Sequence, residues 1–215
     1  QLSKLKNKES DRIFMIPMAL DTDIIKPVRN PQRDYLAYIG RLNYDKGIDL
    51  AVKLSLKTGY KLKIAGVIRD HEKDAKILFK EKVEPFLGPN IEFVGQINDN
   101  QKSNFLGNAK VLLVPNRWEE PFGLVMAEAL AAGTPIIGTN KGSIPEIIQD
   151  GVNGFVCDSF EEIIKAVKRL NQINYSNCRK TAVKSYSKDV FINSTLDMYE
   201  KVINLSRSKK WTNFI

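Results

Sequence analysis

Two carboxylates, Glu120 and Glu128, and two cations, Arg41 and Lys46, have the types and neighbours needed to grip a ligand carrying both hydroxyls and phosphate. In the stretch 111–138, VLLVPNRWEEPFGLVMAEALAAGTPIIG, a buried strand is expected to end in a turn, with a helix starting near Phe122. With Pro121 in a helix-opening position, the free N–H groups of Phe122, Gly123 and Leu124 would face a crevice with the positive end of the helix dipole behind them. That arrangement suits an anion. Gly123 has no side chain to obstruct a phosphate or sugar, and Glu120 beside it can accept hydrogen bonds from hydroxyls. Glu128 lies further along the same helix, among apolar Met126, Ala127, Ala129 and Leu130. By spacing alone, Glu120 reads equally well as a helix-terminal acid, and Glu128 as part of a solvated helix face.

The second cluster is IGRLNYDKG at 39–47, where Arg41 and Lys46 straddle a strand-to-helix turn. Arginine supplies a planar fork and lysine a mobile point charge, a pairing suited to a diphosphate approached from two directions. Two ordinary surface cations would read the same way. Neither a glycine-rich dinucleotide fingerprint nor a Walker loop occurs, which removes the usual warrant for NAD-dependent or P-loop chemistry. The single histidine, His71, lies in the polar run RDHEKD and reads as a solvated loop residue. Cys157 and Cys178 form no CxxC pair and have no histidine nearby, which argues against a metal site or a disulfide framework and fits a reducing cytoplasm.

These residues need a scaffold that delivers strand ends to one crevice. Short apolar runs alternate with segments of helical period, the pattern of βα units stacked around a mostly parallel sheet. Strands are predicted over 35–39, 62–65, 91–94, 111–114, 135–137 and 154–156. Helices are predicted over 48–57, 72–86, 100–108, 123–132, 144–148 and 161–170, with further helices from Tyr175. The fold class is therefore α/β, a Rossmann-like doubly wound sheet with helices on both faces, and ligands are expected outside the carboxyl ends of its strands. Residues 1–33 read as an extended segment and linker, 34–205 as the Rossmann-like domain with its C-terminal helices, and 206–215 as a tail.

Composition narrows the partners. The chain has 215 residues, 43% hydrophobic and 27% charged, which excludes disordered, collagenous and coiled-coil classes. Its longest central stretch without charge, 129–140, is shorter than the roughly 18 apolar residues of a membrane span. Residues 1–8 are basic without a following apolar run and cleavage site, which is not the pattern of a secretory signal. The 33 Lys and Arg against 25 Asp and Glu give a net charge of +8, attractive to phosphorylated ligands, nucleic acid or an anionic surface. The lysines are scattered and mixed with acids, without aromatic platforms, so nucleic acid is not expected. Lys209, Lys210 and Trp211 leave open a peripheral contact at the inner membrane surface, although two adjacent lysines fall short of a polybasic patch.

GRLNYDKG, IEFVGQI, EEPFGLVMAEALAAGTPII and KGSIPEIIQDGVNGF, in that order, resemble the nucleotide-sugar-binding half of family-4 retaining glycosyltransferases of the GT-B type. The similarity runs from about residue 13 to 205, and Glu120 and Glu128, with seven residues between them, match the E-x7-E motif of those enzymes. The resemblance implies that Arg41 and Lys46, with Gly40 beside them, hold the donor diphosphate in place of a metal ion. It further implies that Glu120 grips hydroxyls of the donor sugar, that the amides of Phe122, Gly123 and Leu124 bind sugar and phosphate oxygens, and that Glu128 accepts from the ribose hydroxyls. By position, Gln96 and Ile97 would border the nucleobase. No cofactor is implied beyond the nucleoside diphosphate sugar itself.

Two departures from the family stand out. The linker reads PMALDTD at 17–23 where many members have Asn-Gly-Val-Asp, and Lys141-Gly142-Ser143 stands where many have Gly-Gly. Such enzymes also carry a preceding acceptor-binding domain, which the resemblance places outside this chain, so the isolated chain is expected to be inactive. The alternative is a non-catalytic nucleotide-sugar-binding subunit or scaffold that works with a partner half.

Overall fold

In the computed structural model, which describes residues 14–69 and 71–207, six strands form one sheet in the order β3-β2-β1-β4-β5-β6. The strands are β1 (Tyr35–Arg41), β2 (Lys61–Val67), β3 (Ile91–Gly95), β4 (Ala109–Val114), β5 (Ile136–Thr139) and β6 (Gly154–Cys157). Every neighbouring pair is parallel. The central strands β1 and β4 are almost continuously apolar and buried because helices cover both faces of the sheet. After β3 the chain returns to the far side of β1, so the carboxyl ends of β1 and β4 diverge and open a crevice, the usual ligand position in such sheets.

The helices are α1 (Ile48–Thr58), α2 (Lys73–Lys82), α3 (Asp99–Gly107), α4 (Leu124–Ala131), α5 (Ile144–Ile147), α6 (Phe160–Lys168), α7 (Tyr175–Tyr186) and α8 (Lys188–Arg207). The helix predicted over 72–86 is shorter than expected. It stops at Lys82, and Pro85 lies in a separate 3-10 turn, Glu84–Phe86, because proline cannot donate the next helical hydrogen bond. Helix α3 starts one residue earlier than predicted, on a capping box in which Asn98 and Gln101 satisfy each other's backbone N–H groups.

Helix α4 is the centre of the fold. Its Met126, Ala127, Ala129, Leu130 and Ala131 are buried, and its small alanines let α7 lie close against it with Cys178 and Ala182. Within the segment expected as a linker, Leu20 and Ile25 join the core, and the Arg179 guanidinium donates to the carbonyls of Thr22, Ile25 and Ala131. The tail beyond residue 207, including Lys209, Lys210, Trp211 and Phe214, lies outside the described residues, as does Ile13. Among the described residues no helix is long and apolar enough to cross a membrane.

Candidate functional site

An open cleft of about 590 Å³ lies at the crevice between the ends of β1 and β4. Its walls include Gly40, Arg41, Lys46, Glu120, Phe122, Gly123, Leu124 and Glu128, eight of the ten residues singled out in the sequence. Gln96 and Ile97 are not among its lining residues. They follow the edge strand β3, with Gln96 exposed and Ile97 packed against the core.

Each wall has a local cause. Strand β1 ends in Arg41, and the turn to α1 is fixed from two sides. The Tyr38 hydroxyl donates to the carbonyl of Arg41 at 2.9 Å, while Arg117 clamps both oxygens of Asp49 at 2.7 and 2.8 Å and donates to the Tyr44 carbonyl at 2.7 Å. The Asp49 hydrogen bonds, outweighing burial, raise the pKa of Arg117 further. At the turn's end Gly47 adopts φ 69°, and a Cβ there would fall 2.0 Å from the Pro115 carbonyl oxygen, so only glycine lets the loop lie against the end of β4.

The opposite wall is the turn from β4 into α4. Helix α4 begins at Leu124, later than the expected start near Phe122, with Gly123 as a left-handed cap. Pro121 therefore stands in the turn rather than opening the helix. The amides of Phe122, Gly123 and Leu124 keep the expected freedom, since none of them donates to an acceptor among the described residues. Glu120 is only 7% exposed, and its Oε2 collects the Lys46 ammonium, Asn116 Nδ2 at 2.8 Å and Trp118 Nε1 at 3.2 Å. Its other oxygen takes no donor among the described residues. The Lys46 ammonium also stands 4.6 Å over the Trp118 ring. From behind, Ser143 N–H donates to the Glu120 carbonyl at 2.8 Å, and Ser143 Oγ to that of Phe122 at 2.9 Å.

Two further pairs were not foreseen from the sequence. Arg41 rests on Glu72 Oε1 at 3.4 Å, a long contact, and Glu72 Oε2 is buried without a hydrogen-bond partner among the described residues. Glu128 takes the Lys102 ammonium on Oε1 at 2.8 Å, and Lys102 also meets Asp99 at 2.9 Å. Asn116 and Arg69 each stand two residues past a strand end, after β4 and β2, a position that marks them for the crevice, whereas Lys102 and Met18 carry no such signal. His71 is exposed, as read. Among the described residues no group of three or more His, Cys, Asp or Glu side chains is placed to hold a metal ion.

The cleft can therefore hold an anion against Arg41, Lys46 and free amides, with carboxylates on both sides to orient hydroxyls. Residues 21–188 match the family of glycosyl transferases group 1, to which the chain belongs. The chain is 32% identical over 128 residues to the lipopolysaccharide 1,2-N-acetylglucosaminetransferase of Salmonella typhimurium, a match covering 56% of this chain and 34% of that one. In fold it is similar to a sucrose-phosphate synthase from Thermosynechococcus elongatus, with a TM-score of 0.76 at 22% identity over 88% of this chain and 52% of that one. It is likewise similar to Anabaena Alr3699/HepE, solved in complex with UDP and glucose, with a TM-score of 0.74 at 17% identity over 87% of this chain and 55% of that one. The chain spans about half the length of the curated relatives it matches.

Proposed function

We propose that this chain is the donor-binding domain of a retaining, family-4 glycosyltransferase that moves a hexosyl group from a nucleoside diphosphate sugar to an acceptor hydroxyl. The acceptor would be bound by a domain outside this chain. One observation carries the reading: Arg41, Lys46, Glu120 and Glu128, from a strand end, two turns and a helix, line a single cleft at the switch point of the sheet.

In this reading the diphosphate lies between Arg41, Lys46 and the amides of Phe122, Gly123 and Leu124. As the sugar–phosphate bond breaks, charge grows on the departing β-phosphate. Donors already in place lower the energy of that state more than that of the bound substrate. Lys46 has three donor positions, so it can keep Glu120 while turning another N–H to the phosphate. Glu120, its Oε2 held by three donors, offers its second oxygen to sugar hydroxyls. Glu128 accepts from the ribose, and no metal ion is required. The neighbour solved with UDP and glucose supports a nucleoside diphosphate as the ligand class.

In the whole enzyme, Arg41→Ala or Lys46→Ala should lower turnover by about 100-fold or more, the scale of removing one transition-state donor. Near-normal turnover in either variant removes that residue from the mechanism, and a product of inverted anomeric configuration removes the retaining assignment.

A further inference from the structure

Lys102 enters the cleft from α3, an element with no part in the anion site, yet its ammonium is committed. It bridges Glu128 Oε1 at 2.8 Å and Asp99 Oδ1 at 2.9 Å. The capping box fixes the first turn of α3, with Lys102 directly after Gln101. Ser103 is also held, donating to the Ile24 carbonyl and accepting from Lys26 N–H. The ammonium thus projects from a turn tied at both ends.

Glu128 needs such a partner. Its side chain is 12% exposed, on a helix whose neighbouring residues are apolar. Removing the cation from a buried ion pair leaves the carboxylate uncompensated and free to turn, and a carboxylate that turns no longer aims its second oxygen at a pair of hydroxyls. Among the described residues Lys102 is the sole donor to Glu128, and it occupies one oxygen, leaving the other to the cleft. Burial works against the charge of Lys102, but the hydrogen bonds it donates to Glu128 and Asp99 outweigh it and raise its pKa.

We propose that Lys102 is a positioning residue that holds Glu128 in one orientation, with one carboxylate oxygen kept for the ligand, and so gives the cleft its selectivity for ribonucleotides over 2′-deoxyribonucleotides. The inference rests on the reading of Glu128 as the acceptor for ribose hydroxyls. Two of the three N–H donors of Lys102 are taken by Asp99 and Glu128, so its action is assigned to that carboxylate, and the test below separates this from a phosphate contact.

The test titrates the 215-residue chain with UDP, GDP and ADP, each beside its 2′-deoxy counterpart, in the native protein and in Lys102→Met and Lys102→Arg. The native chain should bind its preferred ribonucleotide about tenfold tighter than the deoxy form, the worth of one charged hydrogen bond. Lys102→Met should bring that ratio close to one while the deoxy affinity stays within about twofold, and Lys102→Arg should restore most of the ratio. Equal weakening of both nucleotides in Lys102→Met overturns the inference, since it marks a phosphate contact or a general structural role. An unchanged ratio overturns it too. If Lys102→Met does not fold, Lys102→Gln, which keeps a donor without the charge, gives the same reading, with a reduced ratio expected. A native chain that binds both sugar forms equally ends this inference alone, whereas one that binds no nucleotide ends the donor-site reading with it.

Discussion

The Lys46 ammonium sits on the same carboxylate oxygen of Glu120 that accepts from Asn116 and Trp118, joining the turn after β1 to the turn after β4. The two residues lie on opposite sides of the crevice, so this ion pair sets its width. Both side chains are largely buried, and removing one partner leaves an uncompensated charge. Lys46→Met should therefore cost about 3 kcal/mol, or close to 10 °C in Tm for a chain of this size. Adding Glu120→Gln should recover much of that loss. Chemical denaturation of the single and double variants checks this, and additive losses would mean that the pair is not coupled.

The clamp of Arg117 on Asp49 bears on ligand affinity more than on stability. Both side chains are partly exposed, so Asp49→Ala should destabilise the fold by about 1 kcal/mol. It also frees the loop that carries Lys46, and nucleotide affinity should fall by about five- to tenfold. Calorimetric titration separates the two effects, and unchanged affinity would show that the loop is held by Gly47 and Tyr38 alone.

Gly142 makes a close backbone contact behind the site. It has φ 57°, and a Cβ there would lie 2.3 Å from both the N and the O of Glu120. Gly142→Ala must push the turn away and break the Ser143 to Glu120 hydrogen bond, at a cost of about 2 kcal/mol or more. Thermal unfolding measures the loss, and a native-like Tm would show that the turn yields without strain.

Much of this was legible in the sequence because period and punctuation act locally. All six strands and the start of α1 follow from apolar runs bounded by glycine, proline and polar residues. The strand–turn–helix reading of 111–138 put Glu120 in the turn and Glu128 on the helix, where they are found. The pairs that tune those groups were hidden. Lys102 and Glu128 are 26 residues apart in sequence, and no local pattern shows which face of α3 meets α4. Pro85 did mark the end of α2, and reading the helix through it overrode that signal. Gln96 and Ile97, assigned by position after a strand, follow the edge strand β3, one strand away from β1, and do not line the cleft.

Both cysteines are buried, and burial pushes each thiol up to about 12. A raised thiol pKa means that the folded chain keeps protons the unfolded chain loses. Stability should accordingly fall as pH rises above about 8.5, by at most about 1.4 kcal/mol per pH unit for each thiol. In thiol-labelling kinetics at neutral pH the native chain should react far more slowly than the denatured one, and equal rates would contradict this burial.

The most direct test of the central claim is calorimetric titration of the chain with UDP, GDP and ADP, without and then with a divalent metal, beside the same titrations of Glu128→Ala. The account predicts metal-independent binding of one nucleoside diphosphate, lost or greatly weakened in the variant. Binding unaffected by Glu128→Ala, or none at all to a well-folded chain, would contradict it.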